Sequence, residues 1–234
     1  MRKIEPFRFK NFSLEHHQSA QKIGTDSVLL ATWINSKYPL KILDIGSGCG
    51  LISFILAQRF PEAIITGIEL DETSYLESLK NLESFPWKKN ISFIEADFLH
   101  HNFQYEKFDL IISNPPFFKN AFLSGDSKRD IARHEFSMPH ISLIEKCKSI
   151  LKDQGTLALV LPPEESQVLL ASKILHCNRI GYLKNKAQSN IKRHLTEWSL
   201  EENEIKKEDF ILRDDSGAYS KAYRKLGKDY YLGF

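Results

Sequence analysis

A polar amide, two prolines and an aromatic ring follow an apolar run near the middle of the chain, as Asn114, Pro115, Pro116 and Phe117. The run itself, residues 108–113, has the composition of a buried β-strand. Two interpretations are open. The prolines could simply end the strand and begin an ordinary loop. Alternatively, the four residues could form a pocket for a flat substrate that carries an NH2 group.

The pocket interpretation has a definite chemical basis. The side-chain oxygen of Asn114 and the carbonyl of Pro115 can each accept one hydrogen bond from such an amine. Together they would orient the nitrogen and stabilise the positive charge that develops on it. The prolines hold that carbonyl at low entropic cost, and Phe117 offers a face for stacking. No strong general base or nucleophile is required, so these residues are the catalytic candidates.

A glycine-rich turn lies upstream, where Gly46, Gly48 and Gly50 separate a strand-like run from a helix-like one. Such a turn can be purely structural, or it can let a ligand contact the backbone at a helix N-terminus. The spacing is G-x-G-x-G, so Leu51 stands where the dinucleotide fingerprint needs its third glycine. Asp44 would repel a pyrophosphate, and would instead accept a hydrogen bond or face a cation. The turn therefore favours a ligand that lacks phosphate and has a positively charged aminoacyl end.

Two more acids end the next two strand-like runs. Glu69 lies where a carboxylate can bind both ribose hydroxyls of a nucleoside. Asp97 could accept a hydrogen bond from an adenine amino group, with Phe98 against the ring. A single acid at a strand end is often just solvated. Acids at three successive strand ends, Asp44 included, predict a nucleoside-containing ligand at one edge of a sheet.

Alternating strands and helices must place these residues at that edge. Strands are predicted at residues 40–46, 63–70, 91–98, 108–113 and 156–162, and helices at 24–34, 49–60, 72–85, 138–151 and 163–177. Thr25 or Asp26 could cap the first helix. The helix at 72–85 is indicated by apolar or aromatic residues at positions 75, 76, 79, 82 and 85. Apolar strands separated by helices are typical of a parallel sheet covered on both faces, which predicts a doubly wound α/β fold.

The last third of the chain is more polar. Residues 179–186, 193–202 and 208–215 are predicted as shorter antiparallel strands that close the sheet at its edge. No domain boundary, internal repeat or low-complexity tract is evident. We therefore expect one domain over residues 1–234.

Composition excludes several classes of protein. Three widely spaced cysteines exclude a self-contained disulfide framework and give no zinc signature, so no metal is expected. No run reaches the roughly 18–20 apolar residues of a membrane span, and the first residues lack the apolar core of a signal peptide. A cytoplasmic protein is expected. The net charge of +2 permits an anionic partner without requiring one.

The glycine turn, the strand-end acids and the Asn-Pro-Pro-Phe loop together resemble the class I S-adenosylmethionine-dependent methyltransferases. The resemblance implies a Rossmann-like sheet of seven strands, mostly parallel with an antiparallel edge strand, and S-adenosylmethionine as methyl donor. It also implies in-line methylation of a planar nitrogen in adenine, guanine or a glutamine amide. A base within a nucleic acid would have to leave its stack to react.

The whole chain is similar to the bacterial tRNA (adenine-N6)-methyltransferases that act on adenosine 37 of a valine tRNA. The matching segments are Lys22-x-Gly24-Thr25-Asp26-x-x-Leu29-Leu30, Phe85-Pro86-Trp87, residues 114–118, Arg129-Asp130-x-Ala132-Arg133 and residues 218–226 and 230–234. The resemblance implies that Lys22, Gly24 and Thr25 lie near the methionine part of the cofactor, although Thr25 could simply cap a helix. It also implies that residues 1–38 cover substrate and cofactor over a core of residues 39–234. Two positions depart from the family: Phe117 stands where many relatives have Tyr, and Cys49 replaces a small hydroxyl residue.

Basic residues follow the Asn-Pro-Pro-Phe loop directly. Lys119, Arg129 and Arg133 are therefore predicted to contact tRNA phosphates. Three alternatives to a tRNA adenine methyltransferase remain open. The chain could methylate another planar nitrogen, in ribosomal RNA, DNA adenine or a protein glutamine. It could be an inactive binding module of the same fold, or a nicotinamide-dependent oxidoreductase, which the glycine spacing and Asp44 disfavour.

Overall fold

The computed structural model of the protein describes residues 5–19, 23–115 and 140–234. Five of the candidate site residues predicted from the sequence lie outside the described residues, namely Lys22, Phe117, Lys119, Arg129 and Arg133. The other candidate site residues are all described.

The described chain alternates strands and helices. The strands are β1 (Phe7–Arg8), β2 (Ser13–Leu14), β3 (Lys41–Ile45), β4 (Ile64–Glu69), β5 (Ile91–Glu95), β6 (Phe108–Ser113), β7 (Leu151–Leu161), β8 (His176–Lys184), β9 (Ile191–Ser199) and β10 (Lys206–Ile211). The helices are α1 (Thr25–Trp33), α2 (Leu51–Arg59), α3 (Glu72–Ser84), α4 (through residues 140–150), α5 (Pro163–Ser172) and α6 (Lys221–Gly227).

Eight of these strands form one sheet, in the order β10-β8-β9-β7-β6-β3-β4-β5. The α/β fold class predicted from the sequence is confirmed, but two details differ. The sheet has eight strands rather than seven, because β10 pairs in parallel with β8 through the register Lys206↔Arg179. The antiparallel strand is also not at the edge, since β9 lies between β7 and β8 and is antiparallel to both. The strand at this edge is β10, and its residues 206–209 are charged and exposed, which disfavours pairing with a further strand.

The ends of several elements differ from the sequence-based prediction. The helix predicted at 163–177 ends at Ser172, because Lys173 adopts a left-handed conformation with φ of 54°. His176 and Cys177 therefore begin β8. Strand β7 begins at Leu151, directly after α4, five residues earlier than predicted. The β1–β2 hairpin and α6 were not predicted.

Both faces of the sheet are buried under apolar side chains. Ile42 and Leu43 are neighbours on β3, are both fully buried, and belong to different core clusters on opposite faces. This pattern explains why the central strands are apolar at nearly every position. The parallel strands β3, β4 and β6 then end together, which brings the glycine turn, Glu69 and Asn114 to the same edge.

No helix among residues 5–19, 23–115 and 140–234 is long and apolar enough to cross a membrane.

Candidate functional site

The three glycines after β3 serve two different purposes. Gly46 and Gly48 have φ values of 68° and 54°, and a Cβ added to either would meet nothing within 4 Å. Gly50 has a φ of 90°, and a Cβ there would lie 2.5 Å from the ring of Phe54 and 2.9 Å from that of Phe93. All three positions favour glycine because φ is positive. Gly50 is additionally required for packing, whereas Gly46 and Gly48 leave an open cradle.

The glycine loop is tied to the neighbouring strand β4. The N–H groups of Gly46 and Ser47 both donate to the carbonyl of Ile68, at 2.8 and 3.2 Å. The N–H of Gly48 donates to Oε2 of Glu69 at 2.7 Å. The other oxygen of Glu69 accepts from the N–H groups of Leu70 and Asp71, each at 2.9 Å. Glu69 therefore shapes the loop in addition to facing the position expected for a ribose.

Asp44 is fully buried beneath the loop. Its Oδ2 accepts from the backbone N–H of Ser53 at 3.0 Å and from the Ser53 hydroxyl at 2.7 Å. Its Oδ1 has no hydrogen-bond partner within residues 5–19, 23–115 and 140–234. Burial raises the pKa of this carboxyl to about 7, against the bonds from Ser53, and the charge of Glu69 raises it further. A positively charged group placed nearby would favour the ionised form.

Asn114 follows β6 and is buried, with 6% of its surface exposed. Its Nδ2 donates to Oγ of Ser27, on α1, at 2.8 Å. Its Oδ1 is buried and has no hydrogen-bond partner among the residues that the structure describes. Pro115, the next residue, is also buried. An unpartnered buried acceptor is costly in a folded protein, and it is the group that an N–H donor would satisfy.

A small cavity joins these features. Its walls are formed by the glycine loop, the start of α2, the residues that begin α1, and Asn114: Ile23, Ser27, Gly46, Ser47, Gly48, Cys49, Leu51, Ile52 and Asn114. The hydroxyl of Ser47 is a second buried polar atom in this wall without a partner. Burial raises the pKa of Cys49 to about 12, so its thiol stays protonated at neutral pH.

Asp97 and Phe98 lie farther along the same edge, directly after β5 and Ala96. Asp97 closes a turn, accepting from the N–H of Leu99 at 2.8 Å and pairing with Nδ1 of His100 at 2.7 Å. The His100 contact is the main reason that the pKa of Asp97 lies below its ordinary value. Phe98 is only 7% exposed and packs beside Phe103. Little of its ring is free for a ligand.

The sequence prediction missed a better apolar surface at this edge. Leu70 follows Glu69 directly and is 69% exposed. An exposed leucine beside a carboxylate that is expected to bind ribose could cover one face of a flat base. The signal available in the sequence was its position immediately after a strand-end acid.

Gly24 and Thr25 begin α1. Gly24 occupies the N-cap position and no side chain caps the helix, so the prediction of a Thr25 or Asp26 cap is wrong. The Thr25 side chain instead lies near the Tyr223 hydroxyl of α6, where it partly offsets the burial that raises the pKa of Tyr223. Ile23 and Ser27, which the sequence did not single out, are the residues of this segment that reach the cavity.

Buried polar side chains of α3 bind the backbone of the segment that precedes α1. The carboxylate of Glu77 accepts from the backbone N–H groups of His17, Gln18 and Ser19, at 2.7, 3.1 and 2.9 Å, and from the Ser19 hydroxyl. Asn81 accepts from the Glu15 N–H and donates to the carbonyls of Glu15 and Cys49. The bond from Asn81 to the carbonyl of Cys49 connects α3 and this N-terminal segment to the glycine loop.

A larger and more open depression lies at the opposite edge of the sheet, around Lys41, Tyr105 and Lys152. Two of its lysines are in ion pairs, Lys41 with Glu106 at 3.3 Å and Lys152 with Asp109 at 2.8 Å. The third, Lys107, donates to the backbone carbonyl of Ser149 at 2.6 Å. Among the described residues there is also no cluster of three or more His, Cys, Asp or Glu that could hold a metal ion.

The residues present at the carboxyl edge fit S-adenosylmethionine. Gly46 and Gly48 leave room for a ligand against the backbone. Buried acceptors without partners, on Asp44, Ser47 and Asn114, lie in or beneath the cavity wall. Glu69 offers a carboxylate at the end of the adjacent strand. The structure thus brings together the glycine loop, Asp44, Glu69 and Asn114, whereas Gly50 and Phe98 face the core.

Comparison with known proteins places these features in context. Residues 12–181 match the family model described as Methyltransferase small domain. The chain is 36% identical to a protein of Christiangramia forsetii, over 97% of this chain and 98% of the relative, and 34% identical to one of Histophilus somni over the full length of both. Both relatives are named tRNA1(Val) (adenine(37)-N6)-methyltransferase.

Solved structures resemble the chain in fold. A predicted O-methyltransferase from Agrobacterium tumefaciens superposes with a TM-score of 0.70 at 18% identity, covering 88% of this chain and 96% of that one. A methyltransferase from Pyrococcus furiosus gives a TM-score of 0.61 at 17% identity, covering 82% and 90%. At these identities the likeness concerns the fold alone.

Proposed function

Because this chain belongs to the Methyltransferase small domain family, we propose that it transfers a methyl group from S-adenosylmethionine to the N6 nitrogen of an adenine in tRNA. Its full-length relatives are named for adenosine 37 of a valine tRNA, and we propose the same target. One observation carries the chemistry: the Asn114 side-chain oxygen is buried, without a partner, in a residue that lines the same cavity as the glycine loop.

The chain's own residues account for the requirements of this reaction. When bound, S-adenosylmethionine supplies a methyl group on a positively charged sulfur. The N6 nitrogen is a poor nucleophile because its lone pair is delocalised into the ring. Asn114 Oδ1 and the Pro115 carbonyl would each accept one N–H of that amine, orienting the nitrogen and stabilising its developing charge. After transfer the nitrogen releases one proton to water, so no strong base is needed.

The remaining candidate residues have supporting roles in this proposal. Gly46, Gly48 and Glu69 would receive the nucleoside and its aminoacyl end, and Asp44 would balance the positive charge. Asp97 would accept a hydrogen bond from the amino group of the cofactor's adenine. Leu70 and the edge of Phe98 would lie beside the ring of that adenine. Residues 1–38 would cover the cofactor, which the lining of the cavity by Ile23 and Ser27 supports. Phe117 would stack on the target base, and Lys22, Gly24, Thr25 and Gly50 complete the cofactor set.

Binding of tRNA is proposed to use the basic residues that follow the loop, Lys119, Arg129 and Arg133. Phosphate contacts make affinity fall with salt concentration. The double charge reversal Arg129→Glu/Arg133→Glu should therefore weaken tRNA binding and flatten its salt dependence. Unchanged affinity and slope would remove these residues from the interface. The proposed place of action is the cytoplasm, where the protein would meet its tRNA.

The test is methyl transfer with purified protein. Labelled S-adenosylmethionine is incubated with total tRNA, ribosomal RNA, DNA and protein from a strain lacking the enzyme, and modified nucleosides are identified by mass spectrometry. We expect N6-methyladenosine in valine tRNA, and none with the Asn114→Ala variant. Label confined to methylguanine, DNA or a protein glutamine would support the alternative, in which the same pocket holds another planar nitrogen.

A further inference from the structure

We propose that Ser27 is a positioning residue that holds the Asn114 carboxamide with its oxygen facing the acceptor amine. The inference rests on the proposed function. Ser27 Oγ accepts from Asn114 Nδ2 at 2.8 Å, and both residues line the same cavity. The sequence did not single out Ser27, because the two residues come from different elements, α1 and the end of β6.

The orientation of the amide decides whether it can act. A carboxamide has an acceptor end and a donor end of nearly equal size, and rotation by half a turn exchanges them. With the nitrogen facing the cavity, the N–H groups of Asn114 would confront those of the substrate amine, and neither side would have an acceptor. The bond to Ser27 occupies the nitrogen end, and Oδ1 is left buried with no partner in the described part of the chain.

Ser27 is itself held by elements that do not include Asn114. Its neighbour Asp26 forms an ion pair with Arg193 of β9, with Nε and Oδ2 3.0 Å apart. Farther along α1, Leu29 and Leu30 are fully buried. The ion pair and this burial hold α1 in place on both sides of Ser27, so the Ser27 hydroxyl has a fixed position from which to orient the Asn114 side chain.

The same helix supplies a matched control. Thr32 is a buried hydroxyl residue one and a half turns farther along α1, and its Oγ1 donates to the backbone carbonyls of Val28 and Leu29, at 2.8 and 3.2 Å. Thr32→Ala removes a buried hydroxyl from α1 without touching Asn114. A loss of activity caused only by a weakened helix would appear in both variants.

The experiment compares Ser27→Ala, Ser27→Thr, Thr32→Ala, Asn114→Ala and the double variant Ser27→Ala/Asn114→Ala. We expect Ser27→Ala to lower kcat about ten- to a hundred-fold, because a reacting group that is slightly misplaced loses catalytic efficiency on that scale. The Kd for S-adenosylmethionine should stay within about twofold of wild type. Ser27→Thr, which keeps the hydroxyl, should recover most of kcat. In the Asn114→Ala background, Ser27→Ala should cause no further loss.

The proposal is overturned if Ser27→Ala lowers kcat equally with and without Asn114, or if its kcat follows thermal stability as in Thr32→Ala. A second readout needs no substrate. The side-chain NH2 signals of Asn114, identified by their absence in Asn114→Ala, should exchange slowly with solvent in the wild type and rapidly in Ser27→Ala. Failure of the wild type to methylate tRNA would refute the proposed function, whereas unchanged NH2 exchange in Ser27→Ala would refute the role of Ser27.

Discussion

The backbone N–H of Gly48 donates to Oε2 of Glu69 at 2.7 Å, so the carboxylate that ends β4 shapes the glycine loop that follows β3. The same carboxylate accepts from Leu70 and Asp71 through its other oxygen. A carboxylate has about four acceptor positions, and three are used here by backbone groups. A ribose hydroxyl would therefore either take the remaining position or replace one of these bonds.

Glu69→Gln tests this double role. The amide keeps one acceptor oxygen, but its NH2 end would oppose a backbone N–H, so the loop should shift and the ribose lose its charged acceptor. We expect the Kd for S-adenosylmethionine to rise at least about tenfold, since bonds to charged groups contribute about 1.5–3 kcal/mol. Calorimetry measures this. Glu95→Gln is the control, because Glu95 lies opposite Glu69 in the register of β5 and is exposed; equal Kd values for the two variants would contradict the assignment.

Asn114→Ala separates catalysis from cofactor binding. The acceptor amine and Ser27 Oγ lose a partner, whereas the residues proposed to hold the cofactor keep theirs. We therefore expect kcat to fall about 100- to 1,000-fold, the range for removal of one charge-stabilising group, while the Kd for S-adenosylmethionine changes little. The control is Asn178→Ala at the opposite edge of the sheet. Asn178 likewise donates to a serine hydroxyl, Ser199 Oγ at 2.7 Å, and has a buried Oδ1 without a partner. Near-normal turnover in Asn114→Ala would refute the catalytic role.

The sequence predicted best what depends on local pattern. The glycine turn, the strand-end acid Glu69 and the polar end of β6 could be read directly, because parallel strands bring their carboxyl ends to one edge. Helix α3 shows where this reasoning fails. Its apolar spacing predicted a helix, but not which residues are buried: Leu76 is 51% exposed, whereas Glu77 is 3% exposed. The backbone groups that satisfy Glu77 come from residues 17–19, far away in the sequence.

The Ser27 contact was hidden for a similar reason. Sequence patterns describe one element at a time, whereas the bond from Asn114 to Ser27 joins two elements through side-chain positions that only packing determines. Phe98 is a second residue whose surroundings the sequence pattern did not indicate. Its position after Asp97 suggested a stacking surface, but the aromatic cluster with Phe103 buries most of the ring.

Glu77 should stabilise the N-terminal segment in a pH-dependent way. Burial opposes ionisation, but the hydrogen bonds from Ser19, Gln18 and His17 outweigh it and hold the pKa of Glu77 below its ordinary value of 4.5. The stabilisation is therefore present above about pH 4.5 and is lost as pH falls through the lower, folded-state pKa. Glu77→Ala should lower the free energy of unfolding by about 1–3 kcal/mol at neutral pH, and the difference from wild type should shrink in acid.

Urea unfolding at several pH values measures this effect, and limited proteolysis locates it, with cleavage expected near residues 15–19. Glu83→Ala is the matched control, because Glu83 is an exposed glutamate on the same helix. A constant difference between Glu77→Ala and wild type at all pH values would show that the loss reflects packing rather than the charge.

Asp44 should give the opposite pH dependence in the absence of cofactor. Burial raises its pKa from the ordinary value of 3.8 to about 7. The folded protein then holds a proton that the unfolded chain has lost, so stability falls as pH rises from about 4 to about 7 and is level above. Asp44→Asn cannot ionise. The free energy of unfolding of the wild type should therefore fall by about 1.36 kcal/mol for each pH unit up to the raised pKa. Between about pH 5 and pH 8 the total loss relative to Asp44→Asn should be about 2–3 kcal/mol.

Cofactor binding should make the ionised form of Asp44 favourable, although the same charge is costly in the protein without cofactor. The positive charge of S-adenosylmethionine favours ionised Asp44, so wild-type affinity should increase as pH rises through about 7, while the affinity of Asp44→Asn is weak and nearly independent of pH over that range. Urea unfolding and calorimetry at about pH 6 and pH 8 measure the two effects, with exposed Asp153→Asn as the control for loss of a carboxylate. Parallel stability curves for wild type and Asp44→Asn would show that Asp44 does not titrate in this range. The residue would then have to act by hydrogen bonding to Ser53 alone.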